Sequence, residues 1–168
     1  NVNLPSDVNF TWAKEVGEDF HARFNAYARA YEFKILNHPV RSALKADSHL
    51  WEPRPLDIEE MQKAANLLLG EHDFSCFRDS LCQAKSPIKT IEYLNITENN
   101  NTILLEVKAN AFLHHMVRNI VGTLLKVGRG ERDISWVQDV LDSKDRRKAG
   151  PTAEPQGLYF VKAFYTDL

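Results

Sequence analysis

Hydrophobic and polar positions follow two periods along this chain. From Ala26 to Leu36 the period is two: Tyr27, Arg29, Tyr31, Phe33 and Ile35 fall on one face, and Ala28, Ala30, Glu32, Lys34 and Leu36 on the other, as in a strand with two distinct surfaces. An earlier strand is expected at 8–16, and the proline-interrupted stretch 37–55 reads as a loop. The period lengthens after Asp57. Ile58, Met61, Ala64, Ala65 and Leu68 form a helical stripe that ends at Gly70, and Asp57 with Glu60 makes a capping-box-like start. Phe74 to Pro87 reads as a loop. Two strands, 88–97 and 102–109, flank Asn99-Asn100-Asn101, a hairpin signal because asparagine tolerates positive φ. A second helix is predicted over 112–127, stopping at Gly128-Arg129-Gly130, and a third over 134–143 capped by Asp133. A basic loop, 144–156, leads to a last strand at 158–166. With a hairpin, no βαβ rhythm, no repeat and no domain boundary, the pattern predicts one α+β domain over 1–168. Its sheet should be mostly antiparallel, with helices packed on one face.

One residue breaks the second helix. Arg118 sits among Leu113, Met116, Val117, Ile120, Val121, Leu124 and Leu125, and a guanidinium in such surroundings needs an anion or several acceptors. Three partners fit: a carboxylate of the fold, a phosphate, or a catalytic carboxylate that the arginine keeps ionised.

Composition narrows the class. With 43% hydrophobic and 26% charged residues the chain is an ordinary globular sequence, and no apolar run approaches the roughly 20 residues that span a bilayer. A net charge of −2 excludes a uniformly basic nucleic-acid binder. It leaves room for local basic patches, as at Lys126–Arg132 and Lys144–Lys148. Cys76 and Cys82 lack partners at zinc spacing and read as free thiols of a cytoplasmic protein. His114 and His115 suggest a metal, but adjacent helical histidines diverge by about 100°, and neither His-x-x-x-His nor a nearby carboxylate completes a set. No metal is expected. Gly128-Arg129-Gly130 follows a helix, so it is a helix stop before it is a phosphate loop. No elbow motif surrounds a serine or cysteine nucleophile. Tyr31 reads first as a core tyrosine, yet a strand face mixing Tyr27, Arg29, Tyr31 and Phe33 is also polar enough to floor a cleft that stacks bases.

Several segments together resemble one family, the TruA-type tRNA pseudouridine synthases. They are Asp19-Phe-His-Ala-Arg-Phe24, Ala28-Arg-Ala-Tyr31, Leu68-Leu-Gly-Glu-His-Asp-Phe74, Phe77-Arg78, Lys108-Ala-Asn-Ala-Phe112, His114-His-Met-Val-Arg-Asn-Ile-Val-Gly122 and Gly157-Leu-Tyr-Phe160. They occur in the family's order and cover nearly the whole chain. The resemblance implies an isomerase acting on uridines of the tRNA anticodon stem-loop: uracil is detached at N1 and reattached through C5, with no metal or organic cofactor. It implies that Arg118 pairs with the catalytic aspartate and that Tyr31 stacks on the flipped uracil and removes the C5 proton. Leu158 would line the uracil pocket. Arg23 would contact tRNA, along with His21, Phe20 and Phe24 of its segment and the loop from Arg78 to Lys85. The full enzyme is expected to be a homodimer.

The family's nucleophile lies in an Arg-Thr-Asp-x-Gly-Val-His-Ala motif, and here no aspartate follows Arg-Thr. The expectation is therefore a C-terminal half, inactive by itself and completed by the N-terminal half of the same protein, with Arg118 facing an open cleft. The competing expectation is a non-catalytic RNA-binding module that kept the fold.

Overall fold

The computed structural model describes residues 1–166. The alternation around Tyr31 forms β1 (Ala28–Asn37), which lies inside the sheet. After it come β2 (Leu50–Glu52), α1 (Ile58–Asn66), β3 (Gly70–Asp73), β4 (Ile88–Asn99), β5 (Thr102–Ala109), α2 (Met116–Gly128), α3 (Ile134–Ser143) and β6 (Leu158–Phe164). The six strands form one sheet in the order β2-β1-β5-β4-β3, with β6 also paired to β1. Every pairing is antiparallel except the short parallel match of β1 with β2. The expected α+β class is what the chain adopts.

Register sorts the faces. Tyr31 lies opposite Val107, Phe33 opposite Leu105 and Ile35 opposite Ile103, while Leu94 and Ile96 of β4 face Val107 and Leu105. Phe33, Ile35, Leu94, Ile96 and β5's odd positions join the core with Met61 and Ala65 of α1, Ile120 and Leu124 of α2, and Val137 and Leu141 of α3. The other face carries charge: Glu32 pairs with Lys34 at 3.6 Å and Lys108 with Glu92 at 2.5 Å. The helices therefore cover the single apolar face.

Local signals at element ends behave as the sequence predicts, except that Glu60 does not close a capping box: it pairs with Lys63 at 2.7 Å, and the Asp57 amide donates to the Gly128 carbonyl at 2.8 Å. Asp57 accepts from the Glu60 amide at 3.0 Å and Asp133 from the Trp136 amide at 2.9 Å. Asn100 and Asn101 have φ of 48° and 62°, turning the β4–β5 hairpin.

Four expectations need correction. No strand forms at 8–16: Val8, Phe10, Trp12 and Val16 are exposed, and alternation without a neighbouring strand leaves backbone groups unpaired. The stretch 37–55 contains β2, and Gly70–Asp73 forms β3 beside β4. Both are short strands fixed by long-range pairing. The Arg118 helix starts at Met116, not 112, because His115 before it takes a left-handed φ of 60°. Finally, β6 ends at Phe164 rather than 166.

A buried charge ties β2 to the end of α2. Glu52 is 2% exposed and accepts from the Arg129 guanidinium and from Arg54 Nε at 3.1 Å. Burial alone would raise its carboxyl pKa, but the bonds to Arg129 and Arg54 outweigh it and hold the group below the usual carboxylate value. A depressed folded-state pKa adds stability above the unfolded value, and that stability is lost as pH falls through the folded one. Glu52→Gln should therefore cost about 2 kcal/mol at pH 7, less than for a sealed pair because Glu131 still faces Arg129 at 3.7 Å. Urea melts at pH 7 and pH 3 should show the difference shrinking in acid.

Candidate active site

The apolar helix that carries Arg118 is clamped by the segment after α3. Thr123 accepts from the Gly150 amide at 2.9 Å, and buried Asn119 accepts from Arg146 at 2.9 Å and Thr152 at 2.7 Å. The chain approaches so closely that a Cβ on Gly122 would lie 1.7 Å from the Pro151 oxygen. This contact delivers Ala153 to Arg118. The Ala153 amide donates to the Arg118 carbonyl at 3.1 Å, and Arg118 Nε donates to the Ala153 carbonyl at 2.7 Å. No carboxylate pairs with Arg118 among the described residues. Its Nε is anchored on a neutral carbonyl and its side chain borders a cavity of about 490 Å³.

Four of the expected residues meet at that cavity: Arg118, Tyr31, Leu158 and Arg23 all line it. Sheet register brings two of them together. β6 pairs with β1 so that Leu158 lies opposite Phe33, and a shift between Ala30 and Tyr31 sets Phe160 opposite Tyr31. The Tyr31 ring meets Phe112 edge-on at 5.1 Å and Phe160 at 5.5 Å. Burial raises the pKa of its phenol, and the Arg29 charge opposes that only in part. Arg29 does not floor the cleft. Its guanidinium donates to the carbonyls of Ala26 at 2.7 Å, Asn110 at 2.9 Å and Arg23, which anchors the 19–25 segment to the sheet.

The remaining expected residues lie elsewhere. The His21 and Phe24 rings pack at 4.3 Å, with Arg23 over Phe24 at 5.8 Å, so these three form one exposed cluster. Phe20 packs on Tyr165 at 5.1 Å and borders a separate cavity. Arg78 turns back onto its own loop, donating to the carbonyls of Cys82 at 2.9 Å and Ala84 at 2.8 Å. Lys85 is exposed.

Sequence reading places Asp79 and Cys82 only within the Arg78–Lys85 loop and Phe112 only within a family segment, and it misses Ala153. Both premises used against a metal also fail. His114 and His115 precede the helix, with rings stacked at 3.9 Å, and Asp79 faces them both. The Leu81 amide is the main influence holding the Asp79 carboxyl below its usual value, aided by His115. Burial pushes the Cys82 thiol up, but the His114 and Ala84 amides and the Arg78 guanidinium outweigh it, so its pKa is lowered. Cys76, buried in the core, is pushed up to about 12 by desolvation. Only long-range folding brings these groups together, so spacing along the chain carried no sign of it.

Comparison with known proteins places the chain in a family. A sequence profile of the tRNA pseudouridine synthase family matches residues 64–166. The chain is 50% identical over 165 residues to tRNA pseudouridine synthase A of Pseudomonas aeruginosa, covering 98% of this chain and 58% of that protein. It is 51% identical over 167 residues to the protein of the same name from Hydrogenovibrio crunogenus, covering 99% and 64%. The chain belongs to the tRNA pseudouridine synthase family. It spans about six tenths of the length of these relatives.

Proposed function

We propose that the chain forms one wall of the active site of an enzyme that converts uridine to pseudouridine in the anticodon stem-loop of tRNA. The carrying observation is Arg118: its Nε is fixed by the Ala153 carbonyl, and its side chain borders the cavity shared with Tyr31 and Leu158. The nucleophilic aspartate then comes from outside these 168 residues, from the N-terminal half of the same protein, and Arg118 keeps it ionised and aimed. A stem base cannot be attacked in place, so the uridine flips into the cavity. Tyr31 stacks on it and Leu158 bounds it, while Arg23 and the His21–Phe24 cluster lie along the backbone. Lys85, and Phe20 beside its own cavity, extend that surface. We place the enzyme in the cytoplasm as a homodimer, where Cys76 and Cys82 remain free thiols.

Tyr31 has two duties in this scheme, and pH separates them. Taking the C5 proton requires its phenolate, which a raised pKa makes scarce at neutral pH. Turnover of the complete protein, followed by tritium release from C5-labelled uridine in tRNA, should therefore climb with pH through the neutral and alkaline range, with no plateau below the ordinary phenol value of 10.0. Tyr31→Phe should lower turnover by about 10²–10⁴-fold and flatten the profile. A fast Tyr31→Phe variant would leave stacking alone to the ring. Release of tritium by the 168-residue chain by itself would refute the shared site. A complete protein that bound tRNA without releasing tritium would instead be a non-catalytic RNA-binding module.

A further inference from the structure

Asp79, His114 and His115 bring three metal-competent atoms together at the rim of the cavity. His115 Nδ1 lies 3.0 Å from Asp79 Oδ2, and His114 Nδ1 lies 3.4 Å from Oδ1. One donor atom from each residue falls within 4.8 Å of the other two. Ligands bound at about 2.0–2.1 Å around a tetrahedral zinc stand roughly 3.3–3.4 Å apart, so one carboxylate oxygen and two ring nitrogens within 4.8 Å of one another need only side-chain adjustment to share a coordination sphere. Two imidazoles and a carboxylate also form the donor set of a three-ligand site with an open position.

The backbone holds this convergence in place. The Asp79 amide donates to the His114 carbonyl at 3.2 Å, the Leu81 amide to Asp79 Oδ1 at 2.9 Å, and the His114 amide to Cys82 Sγ at 3.3 Å. His115 adopts a left-handed φ of 60° and stacks on His114 with 25° between the rings. Such a conformation is rare for a non-glycine residue and persists where surrounding structure enforces it.

We propose that Asp79, His114 and His115 bind one divalent transition-metal ion of the zinc class, with the remaining position taken by water or a phosphate oxygen. The ion would tie the loop after Phe77 to the start of α2 and stiffen the rim beside Arg118. This site stands apart from the isomerase reading, since it requires neither tRNA nor turnover.

The test is zinc titration of the purified, chelator-treated protein by calorimetry, repeated with Co²⁺ for the visible absorption of tetrahedral coordination. One site per chain is expected, together with a rise in melting temperature on zinc addition. Asp79→Asn and the double variant His114→Ala/His115→Ala should each weaken binding by about 10-fold or more, since even outer partners of a metal site contribute that much. Unchanged circular dichroism of Asp79→Asn would show that the fold survives. His38→Ala and His72→Ala should bind as the parent does. Absence of zinc binding by the parent, or binding indifferent to Asp79→Asn and to the double histidine variant, would overturn the site.

Discussion

Arg118→Ala in the complete protein should lower isomerisation about 10²–10³-fold while tRNA affinity changes little. That is the scale on which a preorganised charge partner acts in a shielded site. The guanidinium has one anchoring bond, 2.7 Å from Nε to the Ala153 carbonyl, and no carboxylate of the described chain offsets its charge. In the proposed scheme, removing it strips the incoming aspartate of its counter-ion and leaves the fold nearly intact. Arg118→Lys should rescue poorly, because a lysine keeps the charge but loses the planar donor set that can hold a carbonyl and a carboxylate together. Single-turnover rates and filter-binding affinities on the same tRNA check this. A loss of affinity as large as the loss of rate would make Arg118 an RNA clamp instead.

The second large effect concerns stability. Gly122→Ala should destabilise the fold by about 3 kcal/mol, because overpacking of this kind ordinarily costs about 1–3 kcal/mol and here the obstacle is backbone. The added Cβ would sit 1.7 Å from the Pro151 oxygen, so helix and segment must separate. At this chain length the melting temperature should fall by roughly 6–12 °C. The displaced segment is the one that holds Arg118, so turnover at a permissive temperature should fall as well. Calorimetric melts of Gly122→Ala against the parent decide the first point. An unchanged melting temperature would mean that the crossing is looser than its geometry.

What the sequence revealed was local. The asparagine hairpin, the Asp57 and Asp133 caps and the two faces of β1 depend on residues a few positions apart, so their chemistry is visible in order. The isolated charge in α2 was visible for the same reason: a guanidinium in a helical stripe announces an unmet need. Its anchor was not visible. Ala153 offers only a backbone carbonyl, which carries no side-chain signature, and it arrives because Gly122 and Gly150 let two backbones touch. The histidine pair was misread for a related reason. Helical periodicity was extended through residues 112–115, whereas the left-handed turn at His115 brings both rings to Asp79, a residue of a distant loop. The alternation at 8–16 carried the opposite error, a strand pattern with no strand beside it.

The sheet has a further consequence, for the order in which the site is built. The hairpin of β4 and β5 joins neighbours in the chain and can form early and locally. The cavity cannot, because Tyr31 lies on β1, the first strand, and Leu158 on β6, the last. Loop closure across nearly the whole chain must precede their meeting. The wall that joins Tyr31 to Leu158 is thus a late product of folding, and conditions that fray β6 from β1 would dismantle it while the hairpin and the helical core still stand.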